Sequence, residues 1–249
     1  MEKRYLIIWL CAGLLWTFGG PGVYGEDALS GPQKDEIKQL IEQYLKSHPE
    51  IILESVQKFR EKQEADRREQ GASNLQALRN DLERDPQTPA VGNPKGDVTI
   101  VEFFDYNCGY CKSVLATVQQ LLSEDSGVRL VLKEYPILSE GSKYAARAAL
   151  AAGEQGRYFE FHNILMELRG QVTEERVLKA AIDVGLDVPK LKRDMGKPEI
   201  LSQIESNREL AQSLNINGTP TFVVGDQIVP GAVDGETLRR LIGRVRSDG

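Results

Sequence analysis

The sequence predicts a mixed α/β chain with a helical segment ahead of it, and three observations lead there. Val98–Asp105 is nearly all apolar and β-prone, and it runs into an amphipathic helical pattern at Lys112–Leu122, as a strand buried on both faces followed by a helix should. Residues 140–215 carry helical patterning, after which Thr221–Val224 and Gln227–Val229 flank Gly225–Asp226 like paired strands. Residues 33–85 hold helical stripes alone.

Taken in order, residues 1–25 read as a signal peptide. Lys3 and Arg4 supply a positive start, Tyr5–Phe18 an apolar stretch, and Val23–Gly25 a cleavage site. The apolar stretch is short of the roughly 20 residues that cross a membrane, so a retained anchor is the second reading. Cys11 lacks the small residues that precede a lipidated cysteine and is expected to leave with the signal. The loss of Glu2, Lys3 and Arg4 leaves 29 basic against 36 acidic side chains, a net of −7. That balance argues against a nucleic-acid surface and suits a protein that keeps away from anionic membranes.

A helical extension is expected over 26–87. Ile37, Leu40, Ile41, Tyr44 and Leu45 form one stripe, His48-Pro49 interrupts it, and Ile51, Ile52, Val56 and Phe59 form the next. Arg60–Gln70 is nearly all charged or polar, a solvated face, before Leu75, Leu78 and Leu82 restore a narrower stripe. Short helices do not stabilise themselves in water. These stripes therefore pack either on the rest of the chain or on copies of themselves, and the polar spacer favours self-association. Asp85-Pro86 and Pro89 mark the expected boundary with a second domain over 88–249. Within it Val128–Glu134 gives another β-rich run, and 142–152, 158–168, 173–184 (Thr173 as N-cap) and 198–214 read as helices.

Cys108-Gly109-Tyr110-Cys111 carries the chemistry. The two cysteines sit where strand meets helix, and a cysteine at a helix N-terminus faces unpaired N–H groups and the positive end of the dipole. Both favour thiolate, the nucleophile of disulfide exchange. A bridge closing so short a loop restrains little of the unfolded chain, which argues against a purely structural disulfide. A zinc half-site would need two more ligands, and only His48 and His162 remain, far apart in sequence. Redox use is the stronger reading for an exported chain. His162, set among Tyr158, Phe159, Phe161 and Leu165, reads as a packed or surface histidine.

The segments Phe103–Cys111 and Gly218–Gly225, with the helical stretch between them, make most of residues 88–246 resemble a thioredoxin-fold protein of the DsbA type. The resemblance implies a thioredoxin fold with an inserted helical domain at about 140–215. It also implies a cis Pro220 beside the cysteines, and a Thr219 backbone that pairs with substrate like an added strand. Glu102 matches an acidic residue that lies beneath the site in the family and there helps move the proton of Cys111, the less exposed thiol. The N-terminal extension resembles the ScsC-like branch, whose members oligomerise through such a segment. Gly109-Tyr110 and Thr219 depart from the oxidising members, which typically have Pro-His between the cysteines, and are similar to the isomerase DsbC. DsbC itself lacks this N-terminal segment.

Without a histidine between the cysteines the thiolate gains less stabilisation, so the disulfide is less strongly oxidising. The expected function is therefore an exported disulfide isomerase or reductase acting on cysteine-containing exported polypeptides. It would work with a separate redox partner, as a homo-oligomer, with no cofactor beyond the Cys108–Cys111 pair and no metal. Cys108 attacks, Cys111 or a substrate thiol resolves, and Tyr110 offers substrate an apolar contact or covers the disulfide. A dithiol oxidase is the alternative within the class. A non-enzymatic module binding copper(I) or unfolded chains is the alternative outside it.

Overall fold

The computed structural model describes residues 30–248; the expected signal peptide and Cys11 lie outside the described residues. The elements in order are α1 (Gly31–Ser47), α2 (Pro49–Ala77), α3 (Arg79–Glu83), β1 (Ala90–Gly92), β2 (Val98–Phe104), α4 (Gly109–Glu124) and β3 (Val128–Glu134). There follow α5 (Glu140–Gly153), α6 (Tyr158–Glu167), α7 (Glu174–Asp183), α8 (Val188–Asp194), α9 (Pro198–Ser213), β4 (Thr221–Val224), β5 (Gln227–Pro230) and α10 (Gly235–Asp248). Contacts divide the chain into two compact units between Lys58 and Phe59.

In the first unit, α1 opens with the Ser30 N–H donating to Gln33 Oε1 at 2.9 Å, a capping interaction that satisfies a donor the helix cannot. It ends at Ser47, and Pro49 starts α2, where a missing N–H costs nothing. No residue of α1 is buried. Ile37, Leu40, Ile41, Tyr44, Ile52, Leu53 and Val56 are all exposed.

The second unit is built on a five-stranded sheet in the order β1-β3-β2-β4-β5. β2 and β3 are parallel, joined by α4, and every other pair is antiparallel. Side chains alternate across the pleat, so both faces of β2 find cover. Ile100, Phe104, Leu130, Leu132 and Phe222 pack with Cys111, Val114, Val118 and Leu121 of α4 and with Leu238 and Ile242 of α10. Val101, Phe103, Val131 and Val223 pack on the other side with Leu75, Leu82, Leu210 and Leu214. Helices α5 to α9 fill the chain between β3 and β4, and the alanines of α5 (Ala145, Ala146, Ala148, Ala149) let its neighbours approach closely.

The boundary differs from the one expected at Asp85-Pro86. Leu75 and Leu82 are 1% exposed and form part of the core of the second unit, because the stripe they continue finds an apolar sheet face within its own chain. The connection after α3 is fastened by a buried lysine. Lys133 Nζ donates to the Asp81 carbonyl and to Thr88 Oγ1, both at 2.8 Å, and lies 3.5 Å from Asp85. Gln203 Nε2 also donates to Asp85, at 2.9 Å. A buried ammonium is tolerated only with such partners, and burial accordingly lowers its pKa against the pull of Asp85.

Candidate active site

Cys108 is the N-cap of α4, in extended conformation, with its Sγ accepting from the Cys111 N–H at 3.3 Å. The apolar stripe of the helix explains the placement. Val114, Val118 and Leu121 face the sheet, and continuing that face back by one turn puts Cys111 inward at 1% exposure and Cys108 at the rim at 5%. Both are free thiols in this structure. The N–H aimed at Cys108 strengthens as the sulfur becomes anionic.

The Thr219–Pro220 peptide is cis, and the loop it shapes brings the Thr219 carbonyl within 3.1 Å of Cys108 Sγ, which donates to it. The structure thus brings together residues 111 positions apart. Pro220 lies just before β4, and its carbonyl accepts from Gly231 N–H at 2.8 Å, tying the loop to the hairpin. A Cβ on Gly109 would meet nothing within 4 Å, and Tyr110 is 71% exposed. Gly109 and Tyr110 are thus open to solvent at the start of α4, while the two cysteines beside them are buried.

Glu102 lies mid-strand in β2, between Leu132 and Phe222 of the neighbouring strands. Burial pushes its pKa up to about 8. Burial also pushes the Cys111 thiol well up; an Asp105 backbone N–H pulls it down, while the nearby Cys108 and the charge of Glu102 add to the rise. Cys111 is therefore a poor nucleophile until a base takes its proton, and Glu102 is the carboxylate electrostatically coupled to it.

The sequence did not single out the residues that hold the loop. Asp105, 1% exposed, accepts from the N–H groups of Asn107 (2.7 Å), Ile137 (2.8 Å) and Leu138 (2.9 Å) and from Ser142 Oγ (2.7 Å). Asn107 Nδ2 donates to Ser139 and Ser142, and its Oδ1 accepts from Val172 N–H at 2.7 Å. The cysteine loop is thus pinned to α5 and to the chain before α7. Gly141 is required there, since a Cβ would collide with the Val172 carbonyl. The signal available was the run of polar residues, Asp105 and Asn107, directly after a buried strand. Beside Cys108, an open cavity of about 640 Å³ is lined by Asn107, Gly109, Lys112, Met166, Leu168 and Gln171; Lys112 Nζ donates to the Leu168 carbonyl.

His162 is buried and packs edge-on to Phe104 with ring centroids 4.9 Å apart. Burial lowers its pKa to about 3. It is a packed histidine.

A thiol pair at a helix N-terminus, facing a cis-proline loop on a mixed five-stranded sheet, defines a thiol–disulfide oxidoreductase of the thioredoxin fold. Residues 99–243 match the DSBA-like thioredoxin domain, and the chain belongs to that family. Residues 33–66 match the copper resistance protein ScsC N-terminal domain. Among solved structures, a thioredoxin-like oxidoreductase from Silicibacter pomeroyi DSS-3 is 52% identical, with a TM-score of 0.67 over 68% of this chain and 98% of that one. A linker-deletion mutant of ScsC from Proteus mirabilis is 25% identical, with a TM-score of 0.69 over 89% of this chain and 99% of that one. Among curated relatives, the Na(+)/H(+) antiporter NhaA 1 of Salinispora arenicola is 29% identical over 157 residues. That stretch is 62% of this chain and only 24% of the antiporter, so the chain spans about a quarter of that relative's length.

Proposed function

We propose that this chain is an exported disulfide isomerase or reductase working through Cys108-Gly109-Tyr110-Cys111. The observation that carries the reading is the surroundings of Cys108. Its sulfur sits at the α4 N-terminus, 3.1 Å from the Thr219 carbonyl, with an open Gly109 and an exposed Tyr110 between the cysteines and no cationic side chain there. Lys112 acts electrostatically on Cys108, but no histidine between the cysteines adds to that charge, so the disulfide is less strongly oxidising than one flanked by such a histidine.

Cys108 thiolate attacks one sulfur of a substrate disulfide, forming a mixed disulfide and releasing the other substrate sulfur as thiolate. A different substrate thiolate then displaces Cys108, which is isomerisation, or Cys111 displaces the substrate and closes the Cys108–Cys111 bond, which is net reduction. The Thr219 backbone and Pro220 hold the substrate strand beside the sulfur. A separate redox partner returns the pair to the dithiol, and the signal peptide places the work outside the cytoplasm. The exposed stripes of α1 and α2 support assembly of several copies around one substrate.

Recovery of activity from a scrambled, multi-disulfide substrate in mild thiol buffer tests the proposal, with Cys108→Ser as control. Cys108-dependent recovery is expected. No recovery, with oxidation of a reduced substrate instead, would replace this reading by a dithiol oxidase. Neither activity would leave a binding role, to copper(I) or to unfolded chains.

A further inference from the structure

Charged side chains around the cysteine loop are of two kinds. The buried acids are closed within the protein. Asp105 is occupied by its four donors, and Glu134, 1% exposed, accepts from Tyr106 Oη at 2.9 Å and from Tyr158 Oη at 2.8 Å. Lys112 is the other kind, a cation that faces a cavity.

The Lys112 N–H donates to the Cys108 carbonyl at 3.1 Å, one helical turn on from the nucleophile, and helical side chains lean back over the turn before them. The side chain is half-buried. Of the three N–H donors an ammonium carries, one goes to the Leu168 carbonyl. Among the described residues Lys112 makes no ion pair. Burial and then Arg176 lower its pKa, while Asp105 and Cys108 raise it. The contribution of Cys108 is that of its thiolate, and that charge is gone once the sulfur is bonded to substrate. In the mixed disulfide Lys112 is left with a neutral carbonyl as its hydrogen-bond partner and only Asp105 to set against Arg176.

The loop after α6 completes the cavity and is itself braced by a cation. Arg176 Nη1 donates to the carbonyls of Arg169 at 2.6 Å and Gln171 at 2.7 Å. Gly170 turns between them at φ +74°, and Asn107 Oδ1 holds the next N–H, that of Val172. Carbonyls satisfy these donors without neutralising their charge. The cavity, of about 640 Å³, is lined by Asn107 and Gly109, the sequence neighbours of Cys108, and by Lys112, Glu167 and Arg169. Glu167 is the one acidic side chain among the lining residues. Neither Thr219 nor Pro220 lines it, so a strand paired at that loop leaves the cavity to a flanking residue.

We propose that this cavity takes a carboxylate placed next to the substrate disulfide, with Lys112 and Arg169 as its partners, which makes disulfides with an acidic flank the preferred substrates. The proposal rests on the thiol exchange set out above and adds the substrate class. The carboxylate accepts from the Lys112 donors that Leu168 does not take, and from the exposed Arg169. Such charge-assisted bonds are shorter and stronger than neutral ones. The braced loop fixes the site beforehand, so little ordering is needed on binding. The carboxylate itself gains and loses no covalent bond, and the sulfur chemistry is unchanged.

Exchange rates with short peptide disulfides that differ only in Glu, Gln or Lys beside the cysteine test the proposal, using the full chain and the same leaving thiol throughout. The Glu peptide should react about two- to five-fold faster than the Gln peptide, the size of a partly exposed ion pair, and the Lys peptide slowest. In Lys112→Gln the ratio of Glu to Gln rates should fall to near one. The ratio is decisive because a change in the nucleophile itself moves both peptides equally. Where Lys112→Gln does not fold, Arg169→Gln, at an exposed position, should lower the ratio as well. Glutathione disulfide compared with its ethyl ester distinguishes the source of the carboxylate. Slowing on esterification, with no Glu preference among the peptides, would assign it to a small-molecule disulfide. Equal rates within both comparisons would overturn this proposal alone. No exchange with any disulfide, in protein whose Cys108 is intact, would overturn the exchange reading and this one with it.

Discussion

Residues 30–58 and the unit that follows treat the same kind of apolar helical stripe in opposite ways. Leu40 is 64% and Leu53 71% exposed, while Leu75 and Leu82 are each 1% exposed. Neither composition nor periodicity separates the two stripes. The difference lies in what each can reach: the later one meets the Val101, Phe103, Val131 and Val223 face of its own sheet. Apolar periodicity establishes that a face will be covered, and the partner is a separate physical fact. For the first stripes that partner is, on the reading above, a second copy of the chain.

The sharpest way to separate the two regions is by what each is needed for. Cys108→Ser should abolish exchange with every disulfide substrate, measured by release of thiol. Deleting residues 30–58 should leave exchange with a small disulfide near wild type and remove only the recovery of scrambled protein. Equal loss of both activities in the deletion would break the comparison.

Next in size are the stripes themselves. Leu82→Ala should lower unfolding stability by about 2–5 kcal/mol, as a buried leucine truncation does, read from denaturant titration. Leu40→Ala should stay within about 0.5 kcal/mol for the monomer and weaken self-association by sedimentation.

A pH-dependent effect of intermediate size belongs to the catalytic unit alone. The Glu102 pKa is raised from 4.5 to about 8 by burial, so the folded state binds more protons than the unfolded state between those values. Its contribution is fully present below the unfolded pKa and is lost as pH rises through the folded one. Against wild type, Glu102→Gln should gain stability with rising pH by roughly 1.4 kcal/mol per pH unit at most inside that window, followed by thermal unfolding. A constant difference across the window would contradict a buried, proton-holding Glu102. The smallest expected effect is at Tyr110, 71% exposed. Tyr110→Ala should leave stability within about 0.5 kcal/mol and weaken binding of unfolded substrate, read as a raised KM.

Much of the catalytic unit was legible in the sequence because its signals are local. The Val98–Phe104 strand, the cysteine pair at the start of α4, the α5, α6, α7 and α9 helices and the hairpin around Gly225 follow from periodicity and turn chemistry. β1 did not show: three residues, Ala90–Gly92, join the sheet through backbone pairing with β3, and backbone pairing leaves little trace in side-chain pattern. The α8 helix, seven residues long, merged into its neighbours for the same lack of length. Cys108, Cys111, Thr219 and Pro220 were picked out, and the structure brings them together. Asp105, Asn107 and Glu134 were not, because their meaning lies in partners such as Ser142 and Tyr158, 37 and 24 positions away. One clue was available: Lys133-Glu134 closes β3 directly after the apolar run Leu130-Val131-Leu132, and charges at the end of a strand buried on both faces need partners.

The measurement that tests the central claim most directly is trapping of the mixed disulfide. Cys111→Ser protein is mixed with a cystine-containing unfolded substrate and mapped by mass spectrometry. A stoichiometric substrate adduct on Cys108, which wild-type Cys111 resolves, is the expected result. Absence of any adduct on Cys108 in protein whose thiol is intact would contradict exchange at this site.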